Sequence, residues 1–99
     1  MIARLLYDPD AKDDLRQIIQ FIGIEQMRPD TARKVAAKIH RECKRYARNP
    51  HMGERRDDLS PGVRIFTVRP YVVFYYPLDD GIRVARIIHG ARDYPALFS

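Results

Sequence analysis

The stretch that most constrains this chain is Tyr71-Val72-Val73-Phe74-Tyr75-Tyr76, six residues without a charge. β-Branched and aromatic side chains favour strands, and an uncharged run of this kind reads as a buried central strand. Arg69-Pro70 breaks the chain before it, and Pro77-Leu78-Asp79-Asp80-Gly81 turns it afterwards. Asp80-Gly81 is a strong hairpin signal. Val63 to Val68 and Ile82 to His89 are the neighbouring strands in sequence, so the C-terminal half predicts a three-stranded antiparallel meander. Within Ile82 to His89 apolar groups fall on both faces, which leaves open which arginines face solvent.

The first half has helical periodicity. Ile2 to Tyr7 is a short apolar run that reads as an edge or first strand. Asp8-Pro9 then opens a helix: Asp8 is placed to accept hydrogen bonds from free amides, and Pro9 suits the first helical position. Leu15, Ile18, Ile19 and Ile22 recur on one face, so this helix runs from about Pro9 to about Gln26, with Gly23 weakening its last turn. A second helix runs from Asp30 or Thr31 to Arg48, with Ala32, Val35, Ala36, Ile39, Cys43 and Tyr46 as its apolar stripe. Asn49-Pro50 ends it. His51 to Pro61 reads as a loop, and Gly90 to Ser99 as a tail. The fold class is therefore α+β: an N-terminal strand joining the sheet, a helical hairpin, then the meander, with the helices packed on one face.

Ninety-nine residues predict one domain spanning 1–99. A single cysteine excludes an internal disulfide and fits a reducing compartment. No apolar run is long enough to span a bilayer, and Met1 to Tyr7 is too short for a secretory signal, so the expected location is cytoplasmic, with no membrane partner. Charge is uneven. Residues 28–56 hold ten Lys or Arg against three acids, whereas the rest of the chain is slightly acidic. A basic element beside a near-neutral body points to an anionic partner: nucleic acid, an acidic protein surface or a nucleoprotein complex. The competing reading is a solvated helix face.

No Gly-rich phosphate loop and no zinc-ligand spacing occur, so neither cofactor nor metal is expected. Cys43 sits in an apolar stripe and reads as core rather than nucleophile. The remaining chemistry lies on the sheet and just after it: Arg64, Arg69, Arg83 and Arg86, then His89-Gly90-Ala91-Arg92-Asp93-Tyr94. Arginine forks bind phosphates or carboxylates, and a His, an Arg and a Tyr brought together can cleave RNA by general acid–base catalysis. Against this stands ordinary surface pairing with Asp57, Asp58, Asp79, Asp80 and Asp93.

In order along the chain, several segments resemble ParE-type toxins of the ParE/RelE superfamily. They are Ala11, Asp14 and Leu15 in the first helix; Asn49-Pro50 through Gly53 and Arg55; Leu59-Ser60-Pro61-Gly62-Val63-Arg64; Tyr71 to Tyr76; and Arg86-Ile87-Ile88-His89-Gly90-Ala91-Arg92-Asp93. The resemblance covers nearly the whole chain. It implies the toxin of a type II toxin–antitoxin module, associated with growth arrest and plasmid maintenance. A ParD-like antitoxin would neutralise it in a hetero-oligomer, and DNA gyrase would be its target through binding rather than catalysis. The alternative is a ribosome-dependent messenger-RNA endonuclease of the RelE type, for which Arg64, His89, Arg92 and Tyr94 would form the cleavage set. Direct nucleic-acid binding is left open. The partner-contact candidates are Arg64, Arg69, Arg86, His89, Arg92, Leu97 and Phe98.

Overall fold

The structure is a computed structural model that describes residues 2–90 and 98. The elements are β1 (Arg4–Tyr7), α1 (Pro9–Gln20), a π-helical turn (Phe21–Glu25), α2 (Pro29–Arg48), β2 (Glu54–Arg55), β3 (Arg64–Val68), β4 (Tyr71–Leu78) and β5 (Gly81–His89). They build a five-stranded sheet in the order β1-β5-β4-β3-β2. β1 runs parallel to β5, and the other pairings are antiparallel. The α+β class, the helical hairpin and the meander are as the sequence predicts.

β4 occupies the centre because its residues have a buried partner on each side. Tyr71, Val73 and Tyr75 alternate toward the helices, where they meet Ile18, Ile22, Ile39 and Cys43 in the main core. Val72 and Phe74 alternate to the other face and join Leu59, Val63, Ile65 and Ile88 in a second cluster. Tyr46 of α2 stacks flat on Phe66 of β3, with ring centroids 3.9 Å apart. Cys43 is fully buried, as its place in the apolar stripe of α2 implies.

A bulge in β5 explains why its alternation resists reading. Phe74 pairs with Arg86, but the next residue, Tyr75, pairs with Val84, so Ala85 is an extra residue. One inserted residue switches the parity of everything after it. Ile82 and Val84 face the main core before the bulge, and Ile87 does so after it.

Four local expectations need correction. The segment read as a loop contains β2, whose Glu54 and Arg55 pair with Ile65 and Arg64. Two charged residues give no hydrophobic signal, yet they suit an exposed strand that ends a sheet. The first helix does not continue regularly to Gln26; it widens after Gln20, and the Gln26 N–H reaches back five residues to the Phe21 carbonyl at 2.9 Å. Ile2 lies outside β1 and is 93% exposed. Asp8 makes no side-chain cap; its carboxylate pairs with Arg83 instead, because a cationic donor binds a carboxylate more strongly than a neutral amide does.

Gly81 is dictated by the parallel pairing of β1. It lies opposite Arg4, and a Cβ there would sit 1.7 Å from the Arg4 carbonyl oxygen. Only glycine lets the two backbones come this close.

Candidate functional site

The sheet arginines are held apart from one another by separate partners. Arg86 donates Nε to Asp14 Oδ2 at 2.7 Å and Nη2 to Oδ1 at 3.0 Å. Arg83 pairs with Asp8 and lies over the Tyr76 ring, 4.6 Å from its centroid. Neither acid was among the predicted partners, since both precede or belong to α1. Among the described residues Arg64 has no carboxylate pair; its Nη1 donates to the carbonyls of His51 at 2.9 Å and Gly53 at 2.8 Å. Asp57 and Asp58 are taken by Arg55 and Arg56, and Asp80 by Arg4. Arg69 is exposed in the turn after β3.

Arg64 does line a polar recess of about 290 Å³ with His51, Arg55, Asp57, Gly62, Tyr76 and Pro77. The Gly62 backbone N–H, and then the Arg55 guanidinium, hold the Asp57 carboxyl below the ordinary carboxylate range. Asp57 thus offsets one of the two arginine charges that line the recess. His89 is remote from it. Arg64 pairs across the sheet with Tyr75, and His89 with Tyr71. Four residues of strand and two strand spacings put the two backbones about 16 Å apart. With the Arg64 guanidinium also engaged by the His51 and Gly53 carbonyls, the two side chains do not converge in this structure. Arg92, Tyr94 and Leu97 lie outside the described residues. Phe98 packs on Phe74 with centroids 5.4 Å apart and covers the second cluster, so its ring is engaged with the body of the protein.

The most open surface is apolar and lies on the two helices, whose apolar residues the sequence offers to a partner, although the sequence does not single out which ones. The hairpin carries a groove of about 470 Å³ lined by Ile19, Gly23, Ile24, Pro29 and Ala32, with Arg16, Gln20 and Arg33 at its edge. Ile24 is 70% exposed and Met27 84%, with Phe21 and Ile19 also open to solvent. Its spacing places Ile19 in the apolar stripe of α1, yet it is 38% exposed. A signal was present: five of the seven residues from Ile18 to Ile24 are apolar, more than one helical face can bury. The π-helical turn then rotates Phe21 and Ile24 away from the sheet. On the other side of α1 a second groove of about 290 Å³ runs between Gln17, Ile18, Phe21 and the end of β5 at Ile87 to His89. It exists because β1 covers only Gly81 to Val84 of β5.

Among the described residues no cluster of His, Cys, Asp or Glu is arranged to hold a metal ion. No helix of the structure is long and apolar enough to cross a membrane.

Three comparisons bear on this arrangement. Toxin ParE3 of Caulobacter vibrioides is 36% identical over 47 residues, a stretch covering 48% of this chain and 47% of that protein. The shared stretch is thus about half the length of that relative. A solved structure titled as the chromosomal ParDE TA system from P. aeruginosa superposes with a TM-score of 0.71, covering 89% of this chain and 96% of that one at 23% identity. That likeness is one of fold. The model of the ParE toxin of the type II toxin–antitoxin system parDE matches residues 5–94. With nine-tenths of its length matched, the chain belongs to the ParE toxin family.

Proposed function

We propose that the protein is the cytoplasmic toxin of a two-protein module, masked by a ParD-like antitoxin, and that it stops growth by binding DNA gyrase rather than by cutting RNA. The observation that supports the non-catalytic reading is the separation of Arg64 from His89 among the described residues of the sheet. General acid–base cleavage needs a base and an acid within hydrogen-bond reach of one scissile group. Here Arg86 is clamped by Asp14, Arg64 is tied to two carbonyls, and His89 stands at the far end of the sheet.

The apolar hairpin supports the antitoxin. A region holding Ile19, Phe21, Ile24 and Met27 in the open marks a protein interaction surface. An amphipathic segment laid in the groove would bury these side chains with anchors at helical spacing. A segment that is disordered alone and orders on binding can also follow the long path around α1 to the second groove. The product is a toxin–antitoxin hetero-oligomer.

The test is supercoiling of relaxed plasmid by purified gyrase with the full chain added. Loss of supercoiling, restored by the antitoxin, is expected. Full gyrase activity at saturating toxin overturns the gyrase reading. New message ends in induced cells, mapped by primer extension, would return the ribonuclease.

A further inference from the structure

The outer face of α2 has no part in the reading above. At 100° per residue, Lys34, Lys38, Arg41, Lys44 and Arg48 fall within an arc of about 120°. The buried residues Ala32, Ile39, Cys43 and Ala47 occupy the opposite side. All five cations are exposed. Arg45 shares their arc and pairs with Glu42 at 3.3 Å. Among the described residues, no acid pairs with the other five. They extend over about 21 Å of a straight helix at 1.5 Å per residue. The groove beside the stripe's C-terminal half, lined by Ile2, Ala3, Leu5, His40 and Ala47 together with Lys44 and Arg48, contains no carboxylate.

Like charges at i, i+3 and i, i+4 destabilise an isolated helix by a few tenths of a kcal/mol per pair. Two acids stand one turn from the stripe, Asp30 before Lys34 and Glu42 after Lys38, but they pair with Arg33 and Arg45 instead, so the penalty among the five is not relieved by an ion pair. The stripe also lacks an anchor for a protein partner. Interfaces draw their energy from aromatic or aliphatic groups in desolvated pockets and are depleted in lysine. Between these cations stands only Ala37. Single-stranded nucleic acid is bound by cationic grooves carrying aromatic platforms on which bases stack, and no aromatic side chain lies in this arc. A rigid row of mobile ammonium and guanidinium groups instead matches a rigid row of phosphates, with affinity arising from counterion release.

We infer that the outer face of α2 is a sequence-independent docking surface for the phosphate backbone of duplex DNA. Its 21 Å row spans about six base pairs at 3.4 Å each. The inference stands without the gyrase reading. It gives the protein a hold on DNA itself, wherever its protein target sits.

The test is fluorescence anisotropy of a labelled 20-base-pair duplex of arbitrary sequence, titrated with the full chain between 50 and 200 mM NaCl. With four to five phosphates neutralised, log K against log salt should have a slope of about −4, a loss of roughly 250-fold across that range. Lys38→Gln/Arg41→Gln should lower the magnitude of the slope by about 2, with circular dichroism unchanged because both side chains are exposed. Arg4→Gln/Lys12→Gln removes the same charge from exposed positions elsewhere and should leave the slope unchanged. Three results overturn the inference: no binding at 50 mM salt, an equal effect of the two double variants, or equal or tighter binding of a single-stranded oligonucleotide or a polyglutamate peptide.

Discussion

Asp14 and Arg86 form a two-point ion pair between α1 and β5, and the same Asp14 Oδ2 also accepts the Ile87 backbone N–H at 2.9 Å. The second bond is the more telling. β1 stops pairing at Val84, so beyond that point β5 has no strand on this side. The carboxylate supplies the acceptor that a longer β1 would have supplied. Their side chains are 11% and 24% exposed, so the pair is shielded enough to matter. Removing one partner leaves the other charge and an amide unsatisfied. Asp14→Ala should therefore lower unfolding free energy by about 2–4 kcal/mol. Asp14→Leu/Arg86→Leu should recover part of that loss, because no lone charge remains. Urea midpoints decide it; an Asp14→Ala loss below about 0.5 kcal/mol would mean that the clamp is ornamental.

Tyr75 joins the segment after α2 to the sheet. Its hydroxyl donates to the Pro50 carbonyl at 2.8 Å and accepts the Gly53 N–H at 2.9 Å, and the ring is fully buried. Tyr75→Phe should cost about 1–3 kcal/mol, the penalty for a buried donor and acceptor left unmade. Gly53→Ala should be at least as harmful, since its Cβ would stand 2.4 Å from the Tyr75 hydroxyl and 2.9 Å from the Ile65 carbonyl. Both changes should also raise amide exchange in Glu54 and Arg55, whose strand is pinned through this contact. Unaltered exchange there would separate β2 from Tyr75.

What was legible and what was not divides along a physical line. Helix faces and the central strand announce themselves by repeating apolar residues, and α2, β3, β4 and β5 were readable to within two residues. Features resting on one long-range partner were not readable. β2 exists because Arg64 and Ile65 offer a ladder to Glu54 and Arg55. Asp8 left its cap for Arg83, a residue on β5. The parity switch at Ala85 has no mark of its own in the sequence. The candidate site follows the same division: the arginines are plain in the sequence, but their separation by Asp8, Asp14 and the His51–Gly53 carbonyls is a property of the fold. Apolar residues on both helices are open to a partner on sequence grounds, but which isoleucines stay exposed depends on the π-helical turn, which has no mark in the apolar periodicity.

Burial pushes the Cys43 thiol up to about 11, with the Tyr7 hydrogen bond acting weakly against it. The thiol in the unfolded chain ionises about two pH units lower. Between these values the unfolded state releases a proton that the folded state keeps, so stability falls as pH rises from about 9 to 11, by roughly 3 kcal/mol. Burial also raises the Tyr7 phenol, which continues the decline above about pH 10. In Cys43→Ala the onset should move from near pH 9 to near pH 10. Native protein at pH 8 should react with Ellman's reagent only after urea is added; rapid labelling without urea would show that the thiol is accessible.

The hairpin groove gives the sharpest functional prediction because exposure and patch membership can be tested separately. Ile24 is 70% exposed and lines the groove; Ile2 is 93% exposed and lies far from it in the fold, before β1. Both changes to aspartate should shift stability by less than about 0.5 kcal/mol, as surface substitutions do. A central anchor in an interface is worth about 2 kcal/mol or more, and an unpaired carboxylate in an apolar groove adds desolvation to that. Ile24→Asp should therefore weaken antitoxin binding by about 30-fold or more, while Ile2→Asp should leave it unchanged. Titration calorimetry with the antitoxin measures both. Equal losses would show that the antitoxin covers the β1 side as well, and no loss from Ile24→Asp would place it off the hairpin altogether.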